Sequence, residues 1–413
     1  MPDQDLIYDW NEAGERWEKP PFRVQLSDET LRDGLQSPAL RSPSLEERIG
    51  ILHGMSRLGI DAADIGLPGA GAHVARDAER LAQEIRDAGL AIRPSCAART
   101  LREDIAPIVE ISQRVGIAIE VCAFVGSSPI RQFAEGWTVE QMRRHTEDAV
   151  RFAAAHGLAV TYVTEDTVRA RPESLRELFR AAIDSGAGRL CLCDTVGHAT
   201  PTGAANLVRF ALEVVRESGT DVALDWHGHS DRGLAVANSL SAIRAGASRV
   251  HGCALGIGER VGNTAMDQLL VNLRLLGWIE NDLSSLEEYC RAVSDAAGVP
   301  IPSNYPVVGR DAFRTGTSMH ASAMVKALRR GEAWLVDRVY SGVPSNLVGR
   351  RQEVEIGPSS GASNAIWWLE SHGLASTPER AQALVQRARS ADRVLTEAEI
   401  RATLASLDET SGS

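Results

Sequence analysis

Residues 159–194 read AVTYVTEDTVRARPESLRELFRAAIDSGAGRLCLCD and contain the repeating unit that decides the fold. A strand-like run at 159–164 precedes a segment with the apolar spacing of an amphipathic helix at 175–186. A second apolar run follows at 189–194. A strand, a helix and another strand in this order predict a parallel βαβ unit, because the helix returns the chain to the edge where the next strand begins.

The unit recurs over the first 280 residues. We predict strands at 22–27, 62–66, 91–96, 118–124, 159–164, 189–194, 222–227 and 249–254. Each predicted strand is followed by a helix-like segment. Eight such units within roughly 250 residues are typical of an α/β protein with a (β/α)8 TIM barrel. An open, doubly wound sheet is the alternative fold.

The pattern changes after LRLLGWI, at 273–279. We therefore predict a TIM-barrel catalytic domain at 1–280 and a smaller, mostly helical C-terminal region at 281–413. This second region is expected to pack on the barrel or on a partner subunit. Its predicted elements are helices at 281–297, 320–331, 378–390 and 396–407 and a β-like piece at 352–357.

Composition excludes several classes of partner. The net charge is −11, and no Lys/Arg-rich run is interleaved with aromatic residues, which argues against nucleic acid. The acidic N-terminus has no apolar segment and resembles neither a signal peptide nor a membrane anchor. Six scattered cysteines, mostly in strand-like runs, predict buried thiols in a reducing compartment. We expect a cytoplasmic enzyme without membrane contact.

Polar residues collect where the predicted strands end, which is where TIM barrels carry their active sites. Arg32, Asp33 and Gln36 follow the first strand in SDETLRDGLQ. The other strand ends with such residues read TEDTVR (164–169), CDTVGHATP (193–201), HGHSD (227–231) and GIGERVGN (256–263). The sequence therefore predicts one polar cavity at this end of the barrel.

His227 and His229 are the strongest candidates for metal ligands. Side chains two residues apart on a strand point to the same side, so both imidazoles face one cavity. Asp33, from the end of strand 1, converges with them in a closed barrel, and Asn263 offers a further oxygen. Two imidazoles and a carboxylate suit a divalent ion such as Mg²⁺, Mn²⁺, Zn²⁺, Co²⁺ or Fe²⁺. A structural histidine pair at the strand end is the alternative.

Three other sequence patterns resemble functional motifs but do not indicate a catalytic or cofactor site. The Ser, His and Asp of HGHSD are contiguous at one strand end and cannot form a hydrolase triad. GIGERVGN and LPGAGAHV lack the spacing of a dinucleotide-binding glycine loop. Cys191 and Cys193 share one face of strand 6, and we predict that they pack in the buried interior.

Together these motifs resemble the DRE-TIM metallolyase family, which includes isopropylmalate, homocitrate and citramalate synthases and hydroxymethylglutaryl-CoA lyase. DETLRDGLQ, TEDTVR, DTVGHATP, HGHSDRGLAVANS and GIGERVGN carry the likeness over residues 22–280. FRTGTSMHASAMVKA (313–327) and VYSGVPSNLVGRRQEVEIGPSSGASNA (339–365) resemble the second region of the synthases. The resemblance implies a TIM barrel and a Claisen-type condensation of acetyl-CoA with a 2-oxo acid.

The resemblance also implies the ligands of the metal. Asp33, His227 and His229 would bind a divalent cation, Mg²⁺ or Mn²⁺ with Zn²⁺ or Co²⁺ as alternatives, and Asn263 would lie near it. In the family this cation chelates the keto and carboxylate oxygens of the 2-oxo acid. Thr195 would hold the carboxylate of the substrate.

Five residues have implied roles in the acid–base chemistry. Arg32 would stabilise negative charge on the keto oxygen. His320, helped by Tyr340, would remove a proton from the methyl group of acetyl-CoA. In the family this segment comes from the other subunit of a homodimer with a swapped C-terminal region. Glu165 would exchange protons on the barrel side, and Glu259 would position that network.

A lyase and a non-catalytic scaffold are the alternative functions. Hydroxymethylglutaryl-CoA lyases share RDGLQ but carry a cysteine in the loop after strand 8 and generally lack the second region. Here Cys253 is offset from that place, and His320 and Tyr340 are present, which favours a synthase. A non-catalytic scaffold would not explain why every ligand and acid–base position is filled.

The 2-oxo acid itself stays open. Cys96 and Thr161 stand near the positions where homocitrate synthases carry histidine and arginine, which argues against 2-oxoglutarate. We assign Gln36 and Arg131 to substrate binding with Thr195. Arg131 would contact the substituent of an anionic oxo acid, the phosphates of CoA, or only solvent. Isopropylmalate-type, phosphonomethylmalate-type and benzylmalate-type synthases are the candidates, and no leucine feedback of the family's regulatory type is expected.

Overall fold

The unit at 159–194 folds as predicted in the computed structural model, which describes residues 6–411. Strands Val160–Glu165 and Arg189–Asp194 are parallel neighbours, joined by the helix Pro172–Asp184. Thr161 lies opposite Arg189 in their register.

Eight parallel strands form a closed barrel in sequence order, and the eighth pairs with the first. This confirms the predicted TIM barrel and excludes the open sheet. The barrel strands are β1 Gln25–Asp28, β2 Ala62–Asp64, β3 Arg93–Arg99, β4 Glu120–Gly126, β5 Val160–Glu165, β6 Arg189–Asp194, β7 Ala223–Gly228 and β8 Arg249–Gly252.

Helices alternate with these strands. The helices up to the end of the barrel are α1 Leu45–Arg57, α2 Ala72–Asp87, α3 Arg102–Val115, α4 Pro129–Glu135, α5 Val139–Ala155, α6 Pro172–Asp184, α7 Pro201–Ser218, α8 Ala235–Ala245 and α9 Met266–Leu275. Local sequence sets several of their starts. At α5, for example, Thr138 and Gln141 form a capping box in which each side chain accepts a hydrogen bond from the backbone N–H of the other.

The interior of the barrel contains a buried layer of charged residues. Arg249 is only 1% exposed and donates hydrogen bonds to Asp225 (2.8 Å) and to both carboxylate oxygens of Glu120 (2.8 and 2.6 Å). Arg189 donates to the other oxygen of Asp225 at 2.6 Å. Burial alone would raise the pKa of Asp225, but Arg249 and Arg189 hold it well below its usual range. These carboxylates are therefore charged inside the barrel.

The chain divides into two compact units. Among the described residues, one unit comprises those up to Asp282 with Glu288–Pro300, and the other comprises Leu283–Glu287 with those from Ile301 onward. The predicted division into a catalytic domain at 1–280 and a C-terminal region at 281–413 stays a prediction. The remaining helices are α10 Leu286–Ala297, α11 Ser318–Arg329, α12 Ala333–Arg338, α13 Ala362–Ser371, α14 Pro378–Arg389 and α15 Glu397–Ser411.

The second unit is mostly helical, as expected. Its larger hydrophobic core includes Leu369, Leu384 and Ile400. The two short strands β9 Arg314–Thr315 and β10 Glu353–Val354 pair in parallel. Helices α12 and α13 were not predicted. The predicted helix at 281–297 begins only at residue 286, since the side chain of Asn281 donates hydrogen bonds to the backbone carbonyls of residues 58 and 59.

Two expectations about the whole chain concern cysteines and membranes. All six cysteines are free and buried, as predicted. Within residues 6–411, none of the helices combines the length and the apolar character that a bilayer crossing requires.

Replacement of Arg249 should strongly destabilise the barrel. Arg249→Ala leaves Glu120 and Asp225 without their shared cation, and we expect a loss of about 3–5 kcal/mol in the free energy of unfolding in urea. Arg180→Ala removes an exposed ion pair with Glu217 and should cost less than about 1 kcal/mol. Equal losses in the two variants would contradict the structural role given to the buried network.

Candidate active site

A cavity of about 230 Å³ opens at the carboxyl ends of the barrel strands. Eight of the twelve predicted site residues line it: Arg32, Asp33, Gln36, Glu165, Thr195, His227, His229 and Glu259. The alternation of side chains along β5, β6 and β7 turns their polar residues inward at the same level. Strand ends far apart in sequence therefore supply one site.

Asp33, His227 and His229 form a cluster at one side of this cavity. Oδ2 of Asp33 lies 3.5 Å from Nε2 of His227 and 3.7 Å from Nε2 of His229. All three side chains are buried, and their ligand atoms lie within 4.8 Å of one another. Asp33 reaches the cluster from a π-helical turn, Thr30–Gly34, directly after β1.

The cluster fits a divalent cation. Ligand atoms bound at about 2.0–2.2 Å in tetrahedral or octahedral geometry lie about 3–3.5 Å apart, close to the observed spacings. Asn263 is joined to His229 by a backbone bridge, and its buried Oδ1 has no hydrogen-bond partner among the described residues. A cation or an ordered water bound near Asn263 would satisfy this orphaned amide oxygen.

The surroundings shift the pKa values of the two histidines in opposite directions. Burial and the neighbouring His227 lower the pKa of His229 to about 4, which leaves its ring neutral. Burial also acts to lower the pKa of His227, but the carboxylate of Glu29 outweighs it and raises that pKa.

The loop after β8 holds Asn263 in place and depends on close backbone approaches. A Cβ on Gly262, where φ is +85°, would lie 1.7 Å from the carbonyl oxygen of Gly256. A Cβ on Gly258 would lie 2.4 Å from Nδ2 of Asn263, which donates to the carbonyl of Ile257. Only glycine fits both positions.

Arg32 lies beside the cluster and is fixed by a carboxylate behind it. Its Nε donates to Oδ2 of Asp64 at 2.7 Å, and Nη1 lies 3.7 Å from Oδ1 of Asp33. Burial by itself lowers the pKa of Arg32, but Asp64 and Asp33 raise it well above its ordinary value. The guanidinium is therefore a permanent positive charge at the cavity.

Thr195 and Glu165 stand at the ends of β6 and β5. Oγ1 of Thr195 accepts a hydrogen bond from the backbone N–H of Asp166 at 2.8 Å, so its own hydroxyl hydrogen is available to a ligand. The side chain of Glu165 is 33% exposed and lies 3.4 Å from Arg131. Burial raises the pKa of Glu165, although Arg131 acts to lower it.

Arg131 lies in α4, beyond the cavity lining. Its guanidinium is 44% exposed and lies 3.4 Å from both Glu135 and Glu165. Gln36 and Glu259 are exposed at the mouth of the cavity. Substrate contact by Arg131 and Gln36, and the positioning role of Glu259, stay predictions.

His320 and Tyr340 meet in the second unit. Their rings are stacked with centroids 3.8 Å apart, and Nδ1 of His320 lies 3.4 Å from Oγ1 of Thr315. The stacking brings together an imidazole and a phenol that are 20 residues apart in sequence.

The structure confirms the burial of the cysteine pair but places a neighbour of Cys96 at the cavity. Cys191 and Cys193 are buried as predicted, with sulfur atoms 3.9 Å apart, and they also line the cavity. Cys253 is buried behind Gly34 and is not among the lining residues. The cavity-facing residue of β3 is Ala97 instead of Cys96, while Thr161 lies deeper, hydrogen-bonded to Arg249.

Three buried residues of this site were missed in the sequence. Glu29 contacts His227, His251 contacts Glu29, and Asp64 holds Arg32. A signal was present for two of them. Glu29 lies within the quoted SDETLRDGLQ, and His251 stands two residues after Arg249 in a strand whose polar residues alternate.

The fold and this cavity define a TIM-barrel protein with a candidate divalent-metal site of two histidines and one aspartate. The chain belongs to the HMGL-like family, whose sequence model matches residues 23–293. This confirms the resemblance to the DRE-TIM metallolyases.

Named relatives extend over most of the chain. It is 32% identical over 371 residues to a probable 2-isopropylmalate synthase from Methanopyrus kandleri, covering 89% of this chain and 69% of the relative. It is 30% identical over 393 residues to a homocitrate synthase from the same organism, covering 94% and 92%. An HMG-CoA lyase structure from Bacillus subtilis shares the fold, with a TM-score of 0.57 and 22% identity over 70% of this chain and 98% of the lyase.

Removal of His227 should abolish metal binding. His227→Ala takes one of two imidazoles from the cluster, and we expect at least a 100-fold loss of Mn²⁺ or Zn²⁺ affinity in a chelator competition. His53→Ala is the matched control, because His53 pairs with Glu84 outside the cluster. Wild-type affinity in His227→Ala would contradict the assignment.

Proposed function

We propose that this chain condenses acetyl-CoA with a 2-oxo acid to give a 2-alkylmalate-type product and free CoA. The observation that carries the proposal is the Asp33–His227–His229 cluster with Arg32 beside it in one cavity. Family membership and the named synthases among its relatives support the class of acyl-CoA:2-oxo acid C-acyltransferases.

The proposed reaction forms one carbon–carbon bond and breaks one thioester. A proton leaves the methyl carbon of acetyl-CoA, and that carbon attacks the keto carbon of the oxo acid. The keto oxygen takes up a proton and becomes the tertiary hydroxyl. Water then hydrolyses the thioester, which releases CoA and makes the condensation favourable overall.

Asp33, His227 and His229 would hold Mg²⁺ or Mn²⁺, with Asn263 near it. Such a cation supplies Lewis-acid polarisation of the keto group. Arg32 adds a fixed positive charge where negative charge develops on the keto oxygen, and it needs no reorganisation because Asp64 already orients it.

The remaining residues bind the substrate and move protons. Thr195 donates its free hydroxyl hydrogen to the substrate carboxylate. Glu165, whose pKa is raised by burial, exchanges a proton at the cavity, and Glu259 positions this network from the mouth. His320 and Tyr340 remove the methyl proton, delivered in a homodimer by the second unit of the other subunit. The dimer and these roles rest on the family resemblance.

An apolar substituent on the 2-oxo acid suits the cavity best. The wall across from the metal cluster is formed by Leu67, Ala97, Cys122, Phe124 and Val163. An apolar wall favours an aliphatic oxo acid such as 2-oxoisovalerate, which makes an isopropylmalate-type synthase the preferred reading, and a larger aromatic substituent is the next candidate.

The residues that line the cavity provide few positive charges that could bind a second anionic group of the substrate. Among the described lining residues, the arginines are Arg32 and Arg260, which are paired with Asp64 and Asp231. An anionic oxo acid such as phosphonopyruvate would require Arg131 to leave Glu135 and Glu165.

The test is thiol release from acetyl-CoA with Mg²⁺ or Mn²⁺ across 2-oxoisovalerate, pyruvate, oxaloacetate, 2-oxoglutarate, phenylpyruvate and phosphonopyruvate. We expect release that depends on the oxo acid and is fastest with 2-oxoisovalerate. Preference for phosphonopyruvate or oxaloacetate would make Arg131 the selector instead. No release with any acid, together with cleavage of a 3-hydroxyacyl-CoA, would overturn the synthase.

The shared active site can be tested by mixing two inactive variants. His227→Ala lacks a metal ligand, and His320→Ala should bind metal normally but lose turnover. If His320 serves the barrel of the other subunit, refolding an equal mixture gives mixed dimers with one intact site, and about a quarter of wild-type activity returns. If His320 serves its own barrel, the mixture stays inactive. Turnover by His320→Ala alone would contradict its proposed role as base.

A further inference from the structure

We propose that Glu29 is a positioning residue that fixes the orientation and tautomer of His227, and that His251 and Asp225 hold Glu29 in place for this task. The inference deepens the proposed function, since it rests on His227 being a metal ligand there.

Glu29 lies directly after β1 and is 5% exposed. Its Oε2 forms a close ion-pair contact, 2.8 Å from Nδ1 of His227, and within residues 6–411 this buried oxygen accepts no hydrogen bond of standard geometry. Burying a carboxylate oxygen costs free energy. The close contact with His227 is therefore the interaction that accounts for a carboxylate at this position.

The contact determines which ring nitrogen of His227 is free. A carboxylate at Nδ1 places the proton on that nitrogen and leaves the lone pair on Nε2. Nε2 is the atom that faces Oδ2 of Asp33 at 3.5 Å. Glu29 thus presents His227 to the cluster in the form that binds a cation, and its negative charge increases the basicity of the ring.

Glu29 is itself held from the other side. Its Oε1 lies 2.9 Å from Nδ1 of His251, and Nε2 of His251 lies 3.1 Å from Oδ2 of Asp225. Asp225 in turn is bound by Arg249 and Arg189. A chain of buried ion pairs therefore connects the floor of the barrel to His227.

Glu29, His227 and His251 also have the composition of a second metal site, since their ligand atoms lie within 4.8 Å of one another. Two features favour direct contact between these side chains over a second ion bound among them. The separations of 2.8 and 2.9 Å from the Glu29 oxygens are hydrogen-bond lengths, and the other nitrogen of His251 is already occupied by Asp225.

The test compares Glu29→Gln with Glu120→Gln in the full chain. Both variants replace a buried carboxylate of the same network, but Glu120 contacts Arg249 and lies away from His227. Co²⁺ and Mn²⁺ affinity and stoichiometry are measured by chelator competition, the Co²⁺ site by its visible absorption, and folding by circular dichroism. Outer contacts to metal-binding histidines typically change metal affinity by about 10–100-fold.

We expect Glu29→Gln to weaken binding at least tenfold and to shift the Co²⁺ bands, while Glu120→Gln changes affinity by less than about twofold even if its stability falls. Glu29→Asp, which keeps the charge, should restore part of the affinity. Should Glu29→Gln fail to fold, His251→Gln replaces it, because it removes the partner of Glu29 and should weaken binding several-fold.

Wild-type affinity and spectrum in folded Glu29→Gln, or in the His251→Gln replacement, would overturn the inference. Two ions per wild-type chain would also overturn it, in favour of a second metal site. Absence of any binding by the wild type would instead remove the metal site of the proposed function, which separates the two failures.

Discussion

The pairing of β1 with β8 closes the barrel, and the candidate site depends on that closure. Asp33 follows the first strand and His227 ends the seventh, so nearly 200 residues of chain separate them. Only closure through β8 brings their side chains to 3.5 Å. An open sheet would leave the first and seventh strands far apart, and neither the cluster nor the position of Arg32 beside it would form.

Burying charged side chains inside the closed barrel costs free energy, and pairing them with opposite charges offsets part of this cost. Arg249, Asp225, Glu120, His251 and Glu29 are buried or nearly so, and each has an oppositely charged partner. Pairing of this kind seldom adds stability beyond an apolar core of the same volume. We infer that its value lies in specificity, because charges fixed below the cavity would orient the functional groups above them.

Much of the fold and part of the site were predictable from the sequence. Eight strand–helix units give a strong periodic signal, and the two-residue spacing of His227 and His229 placed both on one face with Asp33. Contacts across the barrel were not predictable in this way. Glu29 and His251 lie 222 positions apart, and the choice of Ala97 over Cys96 as the cavity-facing residue depends on a strand register that local sequence does not determine.

The cavity has a rigid side and an adaptable side. Around Asn263, Gly258 and Gly262 leave no space for any other side chain, so this side tolerates almost no variation. Ala97 and Val163 on the facing wall are small, and no hydrogen bond constrains their side chains. Larger or smaller side chains at these two positions would alter which substituent of a 2-oxo acid fits, without disturbing the candidate metal ligands. Divergence of substrate preference within such a scaffold is therefore expected to proceed by resizing one wall while the chemistry stays constant.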